Sequence, residues 1–382
     1  MMLLVILNCV VVLPGNWFLA LNNANERFVF ARSLSIAKYL LQVAVVVAVL
    51  SWHASALSVL AVQVACNTLA VGLYVIYVKK VLRVKARLHR WDWPLFQSMF
   101  AFSFFMLLNM VFDQIFWKTG QVILGVTCGA ASVAVYGITC KLITAGYMQV
   151  STGVTSVFLP KLTAISARTD DMSEINGLFN RIGRIQAILV WGVMAAFAAI
   201  GREFIYLWAG SDFSEAYAAV LILMAGLSVS LIQNLGISVL QAKNRLGFRA
   251  VVYIVLALLD VALSIPVSAA FGVTGCSAVA AVLLFVGTGP VINVYYHRVI
   301  GVDIPGFWRK VSSLALPAAI SGLTTAGVVM LVPLAVSWAS FAAYALVFIV
   351  IYALLLWLFW ADDYEKGLVR SVVARIPKRK NR

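Results

Sequence analysis

Four ionisable side chains stand in or beside long apolar runs of this sequence: Lys141 in AVYGITCKLITAGYM, Asp260 in VLALLDVALS, and Asp113 with Lys118 at the end of one run. A charged group inside hydrocarbon costs about 2.5–3.5 kcal/mol on insertion scales, so each needs a partner or a water-filled cavity. Lys141 either snorkels and pairs structurally or faces a cavity as a binding cation. Asp260 has Ser264 one turn on, and reads either as a lumen-facing polar position or as half of a structural Asp–Lys pair. Asp113 and Lys118 flank one mouth of their helix. Amides and phenols such as Asn67, Tyr136, Tyr147, Gln149, Gln233 and Asn234 can hydrogen-bond a ligand hydroxyl or another helix. The three histidines share no ligand spacing, and the five cysteines sit in apolar stretches without C-x-x-C. No G-x-S-x-G, H-E-x-x-H or Walker sequence occurs. No metal, cofactor or ATP-driven step is expected, and the energy source is an ion gradient or the substrate gradient.

The elements that must position these residues are membrane helices. Of 382 residues, 63% are hydrophobic and 11% charged, with a mean hydropathy of +0.99. That is more apolar surface than one soluble core can bury, which excludes a soluble enzyme. The apolar runs are continuous where β-barrel strands would alternate, which excludes a barrel. The runs predict an all-α polytopic membrane protein of about eleven transmembrane helices, near 2–21, 28–50, 55–78, 94–116, 129–160, 184–204, 216–240, 248–268, 272–296, 311–332 and 337–360. The net charge of +15 reads as topology and not as a nucleic-acid surface. Nearly all Lys and Arg fall on one side if the KKVLRVKARLHR connection and the KRKNR tail are cytoplasmic, with Lys118 and Arg202 outside and Lys141 within a span. The polar stretch at 161–183 reads as a solvated loop or an amphipathic linker.

A weak internal repeat, A-x-x-R-x-x-F, recurs at Ala24–Phe30 and Ala242–Phe248, and the same offset pairs Asp260 with Gln42. Two similar lobes with that offset would require three more helices before Met1. The expected organisation is a partial N-terminal lobe at 1–79, a basic cytoplasmic linker at 80–93, a six-helix C-terminal lobe at 94–297, two terminal helices at 310–360 and a basic tail at 361–382.

Ordered landmarks then carry a resemblance. Asp113 closes its helix; Tyr136–Leu142 is similar to Y-x-x-x-x-K/R-L; VFLPKL places Pro160 as in F-x-P-x-L; LWAGSDF is similar to W-x-G-x-x-F; Gln241–Arg245 matches Q-A-x-N-R; and FGVTGCSA resembles F-G-x-x-G-A-A. The set resembles the polysaccharide flippases of the multidrug/oligosaccharidyl-lipid/polysaccharide exporter superfamily. The resemblance implies a MATE-like two-lobe bundle around a central cavity, here with an incomplete N-terminal lobe. It implies translocation of undecaprenyl-pyrophosphate-linked oligosaccharide across the bacterial inner membrane, for O-antigen, capsule or exopolysaccharide biosynthesis, without enzymatic chemistry. On that reading the substrate-binding residues are Lys141, Asp260, Asp113, Lys118, Tyr136, Gln149, Gln42 and Asn67, with Lys141 holding a pyrophosphate or acidic sugar. The expected partners are the lipid-linked oligosaccharide, membrane lipids, and the polysaccharide polymerase and chain-length machinery, with no nucleic acid. The rival readings are a cation-coupled multidrug exporter, with Asp260 or Asp113 as the coupling carboxylate, and a membrane polysaccharide polymerase.

Overall fold

The computed structural model describes residues 2–25, 28–52, 55–82, 92–156, 158, 172–242, 245–362 and 364–367, and among these there is no β-strand. Among the described residues, seven helices are long and apolar enough to cross a membrane, or eight if one bent pair counts as a single span. Inside hydrocarbon the backbone can satisfy its hydrogen bonds only within helices, which is why residues this apolar form them. The chain is therefore a multi-pass membrane protein. It divides into two units, Met1–Pro94 and Leu95–Arg382. Pro160, the connection at 83–91 and the tail beyond residue 367 lie outside the described residues.

The first unit is a three-helix layer of α1 (Met2–Ala24), α2 (Phe28–Trp52) and α3 (Ala56–Leu82). Ser55 caps α3, its side chain accepting from the Leu57 amide. The helices pack through small and polar contacts, as expected where lipid is as apolar as leucine. Gly15 of α1 lies against Val71 of α3. The Tyr74 hydroxyl donates to the Ala31 carbonyl at 3.2 Å. Across all three helices, Lys38 Nζ donates to Asn67 Oδ1 at 3.1 Å, and Asn67 Nδ2 donates to Asn8 Oδ1 at 2.8 Å. Lys38 thus stands inside a span, which corrects its place among the basic residues of the inner connections. Its helix is apolar around this ammonium, and the Asn67 amide satisfies it, held in turn by Asn8.

The second unit contains α4 (Trp93–Thr127), α5 (Ala130–Leu142, continued to residue 156 through a π-turn at Ile143–Tyr147), α6 (Met172–Ala209), α7 (Ala216–Ile232), α8 (Leu235–Ala242), α9 (Leu246–Val286, wound on to Ile300), α10 (Ile304–Val311), α11 (Ala315–Leu331) and α12 (Trp338–Leu355). α4 and α5 fold back on each other about Gly129, which has φ +88°. Gly125 meets Val133 and Gly137 meets Gln121, pairs disposed symmetrically about that glycine. The long α9 segment is also a hairpin. At 1.5 Å per residue its 54 residues would run about 80 Å, far beyond a bilayer core of about 30 Å. The chain turns at Gly272, whose φ of +57° and ψ of −139° only glycine adopts readily. Leu256 packs on Gly287 and the Phe248 ring stacks on Tyr295 at 4.2 Å, so the arms run antiparallel. This is the break expected between 268 and 272.

The second part of the polar stretch 161–183 is helical, the amphipathic of its two readings, because Ile175, Leu178, Phe179 and Ile182 fall on one stripe and are buried. Two other elements differ from expectation. The helix expected at 94–116 runs on to Thr127, so Asp113 and Lys118 lie within it and not at its end. The segment expected at 216–240 is bent by 48° between α7 and α8, where Gln233 and Asn234 interrupt the apolar run.

Candidate substrate groove

Along α4, residues 113, 114, 117, 118 and 121 recur at helical spacing, and along α5 residues 137, 140, 141 and 144 do the same. The Gly129 hairpin brings these two stripes face to face. Between them lies a cavity of about 360 Å³ lined by Asp113, Gln114, Trp117, Lys118, Gln121, Gly137, Cys140, Lys141 and Thr144. Among the described residues, neither Lys118 nor Lys141 pairs with a carboxylate.

A second cavity of about 350 Å³ adjoins the first, sharing Asp113, Trp117 and Thr144 and adding Gln149, Thr152, Ser230, Asn234, Arg249 and Tyr253. A narrow recess continues from it past Gln233 and Tyr296. From Gly137 to Thr152 the groove follows α5 for about 22 Å at the rise of an α-helix. Arg249 sits in the first turn of α9, half-buried, with its guanidinium 4.4 Å from the centre of the Tyr253 ring. It attracts the Asp113 carboxylate across the cavity. Gln149 Nε2 donates to the Thr144 carbonyl at 3.3 Å, so the amide marks the junction of the two cavities. The groove is therefore lined by three cations and one carboxylate from three helices, together with amides and hydroxyls.

Of the residues singled out from the sequence, Asp113, Lys118, Lys141 and Gln149 meet in this groove. Asp260 and Tyr136 do not line it. Both are 2% exposed, with Asp260 accepting from Ser264 Oγ at 3.1 Å and lying near Tyr136 and Cys276. Among the described residues no cation pairs with Asp260, so the Asp–Lys pair is not formed. Tyr136 packs against Gly120 of α4. Asn67 and Gln42 belong to the first unit, Asn67 in the bridge with Lys38 and Asn8, and Gln42 half-buried on α2. Sequence reasoning missed Arg249 by counting it as a connection charge. The aromatic residue one helical turn on, Tyr253, was the available signal.

Fold and groove define a class: a polytopic helical membrane protein with a charged, ligand-sized groove between its helices. The comparisons narrow this. Residues 2–218 match the model of a family described as polysaccharide biosynthesis protein, more than half the chain, and the protein belongs to that family. The fold is also that of a solved structure described as lipid II flippase MurJ, inward closed conformation, at 15% sequence identity and a TM-score of 0.63, covering 92% of this chain and 70% of that one. No curated protein matches the chain.

Proposed function

We propose that the protein moves a lipid-linked oligosaccharide across the bacterial inner membrane, from the cytoplasmic to the outer leaflet, in the biosynthesis of a surface polysaccharide such as O-antigen, capsule or exopolysaccharide. The observation that carries this reading is the groove onto which Lys118, Lys141 and Arg249 converge from three helices. Three cations gathered there against one carboxylate, Asp113, match an anion that must cross. The pyrophosphate of an undecaprenyl-pyrophosphate carrier is such an anion. The lysines bind it as point charges, Arg249 presents a planar fork of N–H donors, and the amides Gln114, Gln121 and Gln149 meet the sugar hydroxyls. Asp113 keeps the net charge modest, so the anion is held weakly enough to leave. The isoprenoid tail stays in the bilayer while the two lobes expose the groove to one side and then the other. The C-terminus is cytoplasmic on this reading, and the polymerase and chain-length machinery act on the product outside. Asp260, Tyr136, Gln42 and Asn67 take supporting positions, away from the anion.

The test is accumulation of radiolabelled lipid-linked oligosaccharide in cells deleted for the gene and complemented with variants. Lys141→Arg restores flipping and Lys141→Ala does not. Full activity in Lys141→Ala would sink the role given to that lysine. A deletion strain without accumulation would sink the flippase reading itself.

A further inference from the structure

The second unit carries another pair of cavities, lined by residues none of which lines the groove. α6 and α11 cross closely where Gly322 meets Ala195. Beside the crossing runs an apolar cavity of about 490 Å³ walled mainly by alanines of both helices, among them Ala198, Ala199, Ala319 and Ala326. One turn further along α6 a cavity of about 460 Å³ opens, and its character is different: Arg202, Glu203, Tyr206, Glu215 and Tyr217 line it. Tyr217 joins the two, its hydroxyl donating to the Ala198 carbonyl at 2.6 Å while the Arg202 guanidinium lies 4.9 Å from its ring centre. Oε2 of Glu203 is buried without a hydrogen-bond partner. Next to this cavity Phe204 packs with Trp208, Trp338 and Phe341. Aromatic clusters of that kind sit at the level of lipid head groups. The charged cavity is then interfacial and the alanine cavity lies in the hydrocarbon.

We propose that the two cavities together hold one phospholipid with a primary-amine head group. Its acyl chain lies along the alanines, its phosphate on Arg202 and its ammonium between Glu203 and Glu215. Charge selects the occupant. Two carboxylates against one guanidinium repel an anionic lipid or a carrier pyrophosphate, while a zwitterion bearing phosphate and ammonium satisfies both signs. An ammonium also brings N–H donors for the orphaned Glu203 oxygen, and a choline head group has none. Such a lipid fills the seam between α6 and α11 and so belongs to the architecture of the unit, not to the transported cargo.

The full chain, purified in detergent and stripped of lipid, is titrated with dioleoyl phosphatidylethanolamine, phosphatidylcholine or phosphatidylglycerol and examined by native mass spectrometry. Phosphatidylethanolamine is expected to be retained about tenfold better than the other two, the worth of one charge-assisted hydrogen bond. The isosteric double variant Glu203→Gln, Glu215→Gln should bring it down to the phosphatidylcholine level. Ala319→Phe, which fills the apolar cavity and leaves the head-group residues intact, should lower its retention too. Equal retention of phosphatidylglycerol, indifference to both variants, or displacement by undecaprenyl phosphate would each overturn the proposal. The lipid preference is read without any flipping assay, so its failure is separate from failure of the transport reading.

Discussion

An arginine and two lysines reach the groove from three helices, and on the flippase reading they would hold an anion by different means. Lys118 and Lys141 are flexible and neutralise charge without fixing orientation, whereas Arg249 is stacked on Tyr253 and presents its donors from a settled position. Arg249→Ala is therefore expected to lower flipping about tenfold to a hundredfold, and Arg249→Lys to recover only part of it. Accumulation of the labelled intermediate measures both, and equal activity of the lysine variant and wild type would show that charge alone suffices there. At this scale the sequence was only half legible. An isolated lysine or aspartate in an apolar run is conspicuous, and Lys141 and Asp113 do line the groove. Which face of a helix a residue occupies depends on neighbours that one sequence does not display, and so Asp260 looked equivalent to Lys141 yet is buried while Lys141 is exposed in the groove. Lys38 and Arg249 were passed over because their proximity to basic turns made them look like topology signals.

At the scale of elements, two glycine turns shape the second unit. Gly129 sets α4 against α5 and so forms the first cavity, and Gly272 folds α9 back on itself. A Cβ at Gly272 is strained whatever space surrounds it. Gly272→Ala should destabilise the protein by about 1–3 kcal/mol. Gly327→Ala, in the helical part of α11 with nothing within 4 Å, should be neutral or stabilising by up to about 1 kcal/mol. Thermal unfolding in detergent compares the two, and equal midpoints would remove the special role of the turn. The break near Gly272 was readable in advance, since no bilayer accommodates so long an apolar run in one pass. The start of α6 was readable only as one of two alternatives, because its first turns bury a narrow stripe beneath charged residues, and that pattern is also compatible with a solvated loop.

For the molecule as a whole, one guanidinium gathers the segment that follows α12 onto the rest of the second unit. Arg184 Nε lies 2.9 Å from Glu365 and 3.0 Å from Asp362, while its two Nη groups donate to the carbonyls of Lys310 and Trp360. Arg181 lies over the Tyr364 ring beside it. Arg184→Ala leaves two carboxylates and two carbonyls without their donor. Hydrogen exchange over residues 361–367 is then expected to rise about tenfold or more, with the middle of α6 unchanged. Unchanged exchange in that segment would show that apolar packing of α12 holds it unaided.

The Lys38–Asn67–Asn8 bridge also bears on how the chain is made. Synthesis runs from Asn8 to Lys38 to Asn67, so α2 leaves the ribosome with its ammonium while Asn67, the amide that accepts from it, is still unmade. During that interval α2 is a poor lodger in lipid, by about the insertion cost of one lysine, and the arrival of α3 relieves that cost.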